Sequence, residues 1–263
     1  MIINIDNLAK KITENILKTS TKHKIKLTSV ALNPEKPTLA YLNSQRKLAK
    51  KLHIDFDLIK LSSKNELLET IHILNNKNDV HGIFLAQPLP FDPFEIISKI
   101  NPKKDIEGIT PFNLGNLLYE KSYFKPCTAD SVERILNDFT TLDGKKVTVI
   151  GRSVIVGRPV SILLSNSKNN ATVTICHSHT KDLKEITLNS DIIVSAVGKA
   201  DFITKEMVKK NTIIIDVGIN FKNGELTGDV SPDVKEIAYV TEVPGGVGEI
   251  TSLILFENLT KAL

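Results

Sequence analysis

The chain has 263 residues, 41% hydrophobic and 24% charged, with a net charge of +4, the balance of a soluble globular protein of one large domain or two smaller ones. Interspersed lysines and acids leave no basic stripe, 5% aromatics without Trp leave no base-stacking platform, and no apolar run has membrane-spanning length, so nucleic acid and membrane are excluded as partners. Two cysteines, Cys127 and Cys176, supply neither a disulfide framework nor a metal quartet, and the charged N-terminus lacks a signal-peptide core, which points to a reduced, cytoplasmic protein.

In chain order the patterning predicts a helix over 6–18, a strand over 27–32, a helix over 39–52, a strand over 54–59, a helix over 64–74, a strand over 82–85 and a helix over 93–100. Pro102, Pro111, Gly115 and Pro126 then break the rhythm, marking a domain junction with a cleft beside it. Beyond it come a helix over 129–139, a strand over 146–150, a helix over 156–164, a strand over 172–176, a helix over 181–186 and a strand over 192–196. A helix over 205–209, strands over 212–217 and 238–241, and a helix over 248–263 complete the chain. Such alternation predicts an α/β protein with parallel sheets covered by helices.

The segment Gly151-Arg152-Ser153-Val154-Ile155-Val156-Gly157-Arg158-Pro159 joins a predicted strand to a predicted helix. A glycine turn at a helix N-terminus exposes backbone N–H groups that suit phosphate. Two of the chain's four arginines, Arg152 and Arg158, flank it. The strand over 172–176 follows at about the spacing of a dinucleotide fold, about twenty residues on. Its end reads Cys176-His177-Ser178-His179-Thr180, with no acid before Asp182. An acid there would read the ribose of NAD, so its absence, with Arg152 and Ser178 at hand, favours NADP. With no cofactor assumed, Ser178 reads equally as a helix cap before Lys181. Gly198 and Gly218 each end a strand in small residues and allow close backbone approach to a cofactor. His177 and His179 are poorly spaced for zinc, and no metal is assigned.

With these segments in view, the chain resembles the bifunctional methylenetetrahydrofolate dehydrogenase/cyclohydrolase family. The resemblance rests on Gln87-Pro88-Leu89-Pro90, Lys104-Asp105-Ile106-Glu107-Gly108, Pro126-Cys127-Thr128, the Gly151 to Pro159 loop, Asp216-Val217-Gly218-Ile219-Asn220, Gly228-Asp229-Val230 and Val243-Pro244-Gly245-Gly246-Val247-Gly248. It implies an N-terminal α/β folate-binding domain over 1–120, rejoined by 246–263, and a Rossmann-like NADP-binding domain over 121–245. It further implies a homodimer acting on tetrahydrofolate derivatives in one-carbon metabolism. Hydride would pass from 5,10-methylenetetrahydrofolate to NADP, and water would open the methenyl cation to 10-formyltetrahydrofolate. By the same resemblance Thr128, Gly151, Arg152, Ser153, Gly157, Ser178, Gly198, Gly218 and Ile219 bind the cofactor. Tyr41, Gln87, Glu107, Pro244, Gly245 and Gly246 bind the folate, and Tyr41 with position 45 forms the catalytic pair.

The chain departs from the family's pattern at that pair. The substrate helix reads Tyr41-Leu42-Asn43-Ser44-Gln45-Arg46-Lys47, with Gln45 where the family places its principal hydrolytic lysine. Ala86 stands where the pattern has a glutamine, with Gln87 one position later; Glu107 replaces an aspartate and Glu249 a proline. A glutamine amide can only hydrogen-bond, and losing a general acid/base costs roughly a hundred- to ten-thousand-fold. The expectation is therefore a working dehydrogenase whose cyclohydrolase is weak or lost. The alternatives are a fully bifunctional enzyme and a non-catalytic folate- or dinucleotide-binding module.

Overall fold

The computed structural model describes residues 1–222 and 224–263, and the chain divides into two compact units. One comprises 10–125 with 252–263, the other 1–9 with 126–251. The expected boundaries differ chiefly at the N-terminus. Residues 1–9 join the second unit because Ile2 bridges Val240, Ile3 donates its N–H to the Val240 carbonyl (3.0 Å), and the terminal amine reaches the Ala238 carbonyl (3.0 Å). Ile3 and Ile5 are buried there, in a stretch too short to carry a strand signal.

The first unit begins with most of α1 (Asp6–Ser20) and continues through β1 (Lys26–Leu32), α2 (Lys36–Lys51), β2 (Asp55–Leu61), α3 (Lys64–Asn76), β3 (Gly82–Leu85), α4 (Phe94–Lys99) and α5 (Pro111–Leu118). Its three strands are parallel in the order β2-β1-β3. Val30, Leu67, Ile71, Ile83, Leu85, Ile96 and Ile100 form the core on one face. α5 was not expected, because Pro111 and Gly115 read as breakers. Thr110 caps it, accepting from the Asn113 N–H at 3.3 Å, and Pro111 occupies the first turn, where its missing donor costs nothing.

The second unit holds α6 (Cys127–Phe139), β4 (Lys146–Ile150), α7 (Gly157–Leu164), β5 (Thr172–Cys176), α8 (Leu183–Leu188), β6 (Ile192–Ser195), β7 (Ile213–Asp216), the hairpin β8 (Asn220–Lys222) with β9 (Glu225–Thr227), and β10 (Tyr239–Val240). Five strands run parallel in the order β10-β7-β6-β4-β5, a Rossmann-like sheet. The helix expected over 205–209 is a single 3-10 turn, Lys205–Met207. The final helix, α9 (Val247–Lys261), divides between the units at residue 251. Its later part packs on the first unit's sheet. A Cβ on Gly82 of β3 would fall 2.5 Å from Leu259 and 2.6 Å from Ile106, so only glycine admits this approach, and Asn258 secures it by donating to the Ile106 carbonyl (2.9 Å). The expected return of the C-terminal helix to the first domain thus has a local cause.

Candidate active site and dinucleotide site

In the first unit the residues expected to act on substrate converge on the C-terminal ends of β1 and β3. Ser29 of β1 lies opposite Phe84 of β3, and Val30 opposite Leu85. Tyr41 and Gln45 occupy one face of α2, four residues apart. The Tyr41 ring lies 5.9 Å from that of Phe84, tilted by 40°, and remains 45% exposed. Gln45 is only 3% exposed, and its Oε1 accepts from Ser29 Oγ at 3.5 Å. Its Nε2 is buried without a hydrogen-bond partner, a donor whose desolvation nothing within the protein offsets. Burial of Leu42, Gln45 and Ala49 fixes the rotation of α2; Arg46 points elsewhere and stacks over Phe56.

Glu107 reaches β3, at the Leu85 backbone amide. The loop carrying it is held at both ends. Lys104 Nζ donates to the Leu74 and Lys77 carbonyls at the end of α3 (2.8 and 2.6 Å). The buried Asp105 accepts from the N–H groups of Ile109 (3.2 Å) and Thr110 (2.7 Å) and from Asn113 Nδ2 (2.8 Å). Gly108, at φ 70°, makes the turn between them. Glu107 is half-buried, and its carboxyl is pushed up to about 8, chiefly by desolvation and then by the neighbouring Asp105 charge, with the Leu85 backbone amide pulling the other way. Desolvation likewise lowers Lys104. Ala86 is buried, donating to the Val30 carbonyl, whereas Gln87 is exposed beyond the end of β3, before a cis bond to Pro88. Gln87 is therefore not gathered with Tyr41, Gln45 and Glu107 on these strands.

In the second unit, Gly151 ends β4 at φ 125°, and a Cβ there would meet the Ala196 carbonyl oxygen at 2.6 Å. A Cβ on Gly157, the first residue of α7, would lie 2.1 Å from the Gly151 carbonyl oxygen. These two glycines allow a loop in which Arg152, Ser153, Val154 and Ile155 are exposed, and Ser153 Oγ ties the turn by accepting from the Val156 and Gly157 N–H groups (3.2 and 3.4 Å). Ser178 is exposed in the turn after β5, which Thr180 closes by hydrogen bonds with His177. Ser178 is not a helix cap: α8 starts later, with Asp182 in that position. Thr128 is half-buried in the first turn of α6. Gly198 is exposed at φ 71° with open space where a side chain would stand, and Ile219 is 62% exposed. Pro244 and Gly245 are exposed, following a cis bond after Val243, whereas Gly246 is buried against the Glu242 carbonyl.

Asp216 and Asp229 stand in motifs of the family resemblance without a predicted role of their own. Both are buried and accept several hydrogen bonds each. Asp216 accepts from the N–H groups of Gly218 (3.1 Å), Asp229 (2.9 Å) and Val230 (2.9 Å), and desolvation raises its carboxyl to about 6 against those bonds. The signal was present in the sequence as a glycine paired with each acid. A Cβ on Gly218 would fall 2.0 Å from Asp229, and one on Gly228 2.0 Å from Asp216. Among the described residues no group of three or more His, Cys, Asp or Glu side chains could hold a metal ion, and no helix is long and apolar enough to cross a membrane.

Residues 3–107 match the catalytic domain of tetrahydrofolate dehydrogenase/cyclohydrolase, and residues 126–263 match its NAD(P)-binding domain. The chain is 52% identical over 239 residues to the bifunctional protein FolD of Thermotoga petrophila, covering 90% of this chain and 88% of that protein. It superposes with a TM-score of 0.94 and 34% identity on the crystal structure of the bifunctional FolD methylenetetrahydrofolate dehydrogenase/cyclohydrolase of Campylobacter jejuni, covering 100% of this chain and 98% of that one. The Trypanosoma brucei methylenetetrahydrofolate dehydrogenase-cyclohydrolase, solved with NADP cofactor and an inhibitor, matches at 31% identity and a TM-score of 0.91, covering 100% and 96%. These relatives are bifunctional, which corrects the expectation of a weak or lost cyclohydrolase. That expectation rested on one side chain, Gln45, whereas the family match spans both domains of the chain.

Proposed function

Because the chain belongs to the tetrahydrofolate dehydrogenase/cyclohydrolase family, we propose that it oxidises 5,10-methylenetetrahydrofolate with NADP and then hydrolyses the methenyl product to 10-formyltetrahydrofolate. The observation that carries this reading is the buried, unpartnered Nε2 of Gln45 on the face of α2 that carries Tyr41, packed at Ser29 of β1, with Glu107 held at Leu85 of the neighbouring β3. Tyr41 offers an exposed ring face on which a pterin stacks. Glu107, ionised, accepts from N–H donors at the pterin edge. Water adds to the methenyl carbon as the C=N π pair withdraws onto N5, one proton leaving to solvent; the carbon–N5 bond then breaks as the hydroxyl proton passes to N5, leaving the formyl group on N10, and Gln45 Nε2 donates to the oxygen throughout.

NADP, when bound, supplies the ring carbon that takes the hydride. The residues present suit it. Gly151 and Gly157 shape a turn that leaves Arg152 and Ser153 exposed for the phosphates, and Ser178 stands at an acid-free strand end for the 2′-phosphate. Thr128, Gly198, Gly218 and Ile219 complete the cofactor set. A homodimer belongs to the same reading, supported by the exposed Ile175 on the edge strand β5, as does a cytoplasmic location, supported by two buried cysteines that form no disulfide.

The test supplies methylenetetrahydrofolate with NADP or NAD and follows methenyl absorbance, then supplies methenyltetrahydrofolate and follows its decay. NADP reduction and enzyme-dependent decay are both expected. Methenyl product that accumulates and decays only at the spontaneous rate would refute the hydrolytic half.

A further inference from the structure

Asp229 is fully buried, yet its carboxylate is met by five donors. Oδ2 accepts from Ser195 Oγ (2.9 Å) and from the N–H groups of Val197 (2.8 Å) and Gly198 (3.2 Å). Oδ1 accepts from the Lys199 N–H (2.9 Å) and Asn220 Nδ2 (3.0 Å). The donors come from two segments remote in sequence, the end of β6 with the loop after it, and Asn220 at the start of β8. Asp216 fixes the carboxylate's own backbone, since it accepts from the N–H groups of both Asp229 and Val230. Gly218 leaves the space that Asp229 fills. One buried charge therefore clamps two loops, and charge-assisted bonds of this kind are the strong ones.

The sheet order says what the clamp serves. β6 and β7 are neighbours on the side of β4 away from β5. In a dinucleotide-binding sheet the pyrophosphate sits at the turn after the first strand and the adenosine ribose at the end of the second, here β4 and β5. The nicotinamide half then lies over the ends of β6 and β7. The exposed Gly198 and Ile219 stand on the two loops that Asp229 holds from beneath.

We propose that Asp229 is a positioning residue for the nicotinamide half of the cofactor: it does not touch the dinucleotide but sets the spacing of the loops over 197–199 and 218–220 that receive the ring. The proposal rests on the dinucleotide reading above.

The experiment measures binding, not turnover. Full-length wild type, Asp229→Asn and Asn220→Ala are titrated with NADPH by fluorescence and with 2′,5′-ADP, which lacks the nicotinamide half, by calorimetry. Asp229→Asn keeps the side chain's shape but turns an acceptor into an N–H₂ among N–H donors. NADPH affinity should fall by about tenfold or more, with 2′,5′-ADP affinity held within about twofold. Asn220→Ala, which removes one donor and leaves the charge, should show the same asymmetry at about threefold, and it carries the test if Asp229→Asn does not fold. Equal weakening of both ligands, or of neither, overturns the proposal. Wild type that binds neither ligand overturns the dinucleotide reading itself.

Discussion

A side chain on Gly157 would place its Cβ 2.1 Å from the carbonyl oxygen of Gly151, two residues of one loop pressed together at the start of α7. Neither backbone can yield without opening the turn that exposes residues 152–155. Gly157→Ala should therefore weaken NADPH binding by about tenfold, roughly one lost phosphate interaction, with folate binding unchanged. Fluorescence titration of NADPH checks it.

Gln45→Leu removes a buried donor while keeping apolar volume. Hydrolysis of added methenyltetrahydrofolate should slow by roughly a hundredfold, the typical effect of losing one donor to a forming oxyanion. Dehydrogenation should stay within about threefold. Because the orphaned Nε2 costs desolvation in the free protein, the same variant should be about 1 kcal/mol more stable in urea. Opposite signs for stability and hydrolysis distinguish a catalytic donor from a packing residue.

Glu107 gives a pH dependence with a defined sign. Its carboxyl rises from the usual 4.5 to about 8 in the folded protein, so the native state holds a proton that the unfolded chain releases. Stability from this group is complete below about pH 4.5 and is lost as pH rises through 8, with a slope of at most about 1.4 kcal/mol per pH unit. Asp216, raised from 3.8 to about 6, acts in the same direction at lower pH. Glu107→Gln should flatten the upper part of the curve. Pterin binding to the carboxylate should release a proton below pH 8, so folate KM should fall as pH rises from 6 to 8; calorimetry in buffers of different ionisation enthalpy counts the proton.

Asp105 serves three donors in the loop that aims Glu107. Asp105→Ala leaves them buried without an acceptor and should cost about 3 kcal/mol of stability by urea denaturation. Folate affinity should fall with it, while NADPH affinity holds.

The strands over 82–85, 146–150 and 172–176 were legible to the residue, because apolar runs bounded by turn residues have little freedom to slide. α5 was not, since Pro111 and Gly115 read as breakers, whereas proline costs nothing in a first turn and the half-buried Gly115 is tolerated inside the helix. The hairpin of β8 and β9 was missed for a different reason: three-residue strands carry too few alternating positions to register a period. At the site, motif spacing pointed to the glycine turn over 151–157 and to Tyr41. It could not show that Gln45 is sealed from solvent against Ser29, nor that two buried acids each require a glycine partner, because both facts depend on which strands become neighbours.

Both thiols of the protein, at Cys127 and Cys176, lie beneath the surface, and burial also pushes the Cys176 thiol up, away from its reactive thiolate. Maleimide dyes should thus find almost nothing to alkylate in the native protein. One cysteine introduced at an exposed position, such as Phe221 on the hairpin, becomes a single-colour reporter with no need to strip out the natural sulfurs first.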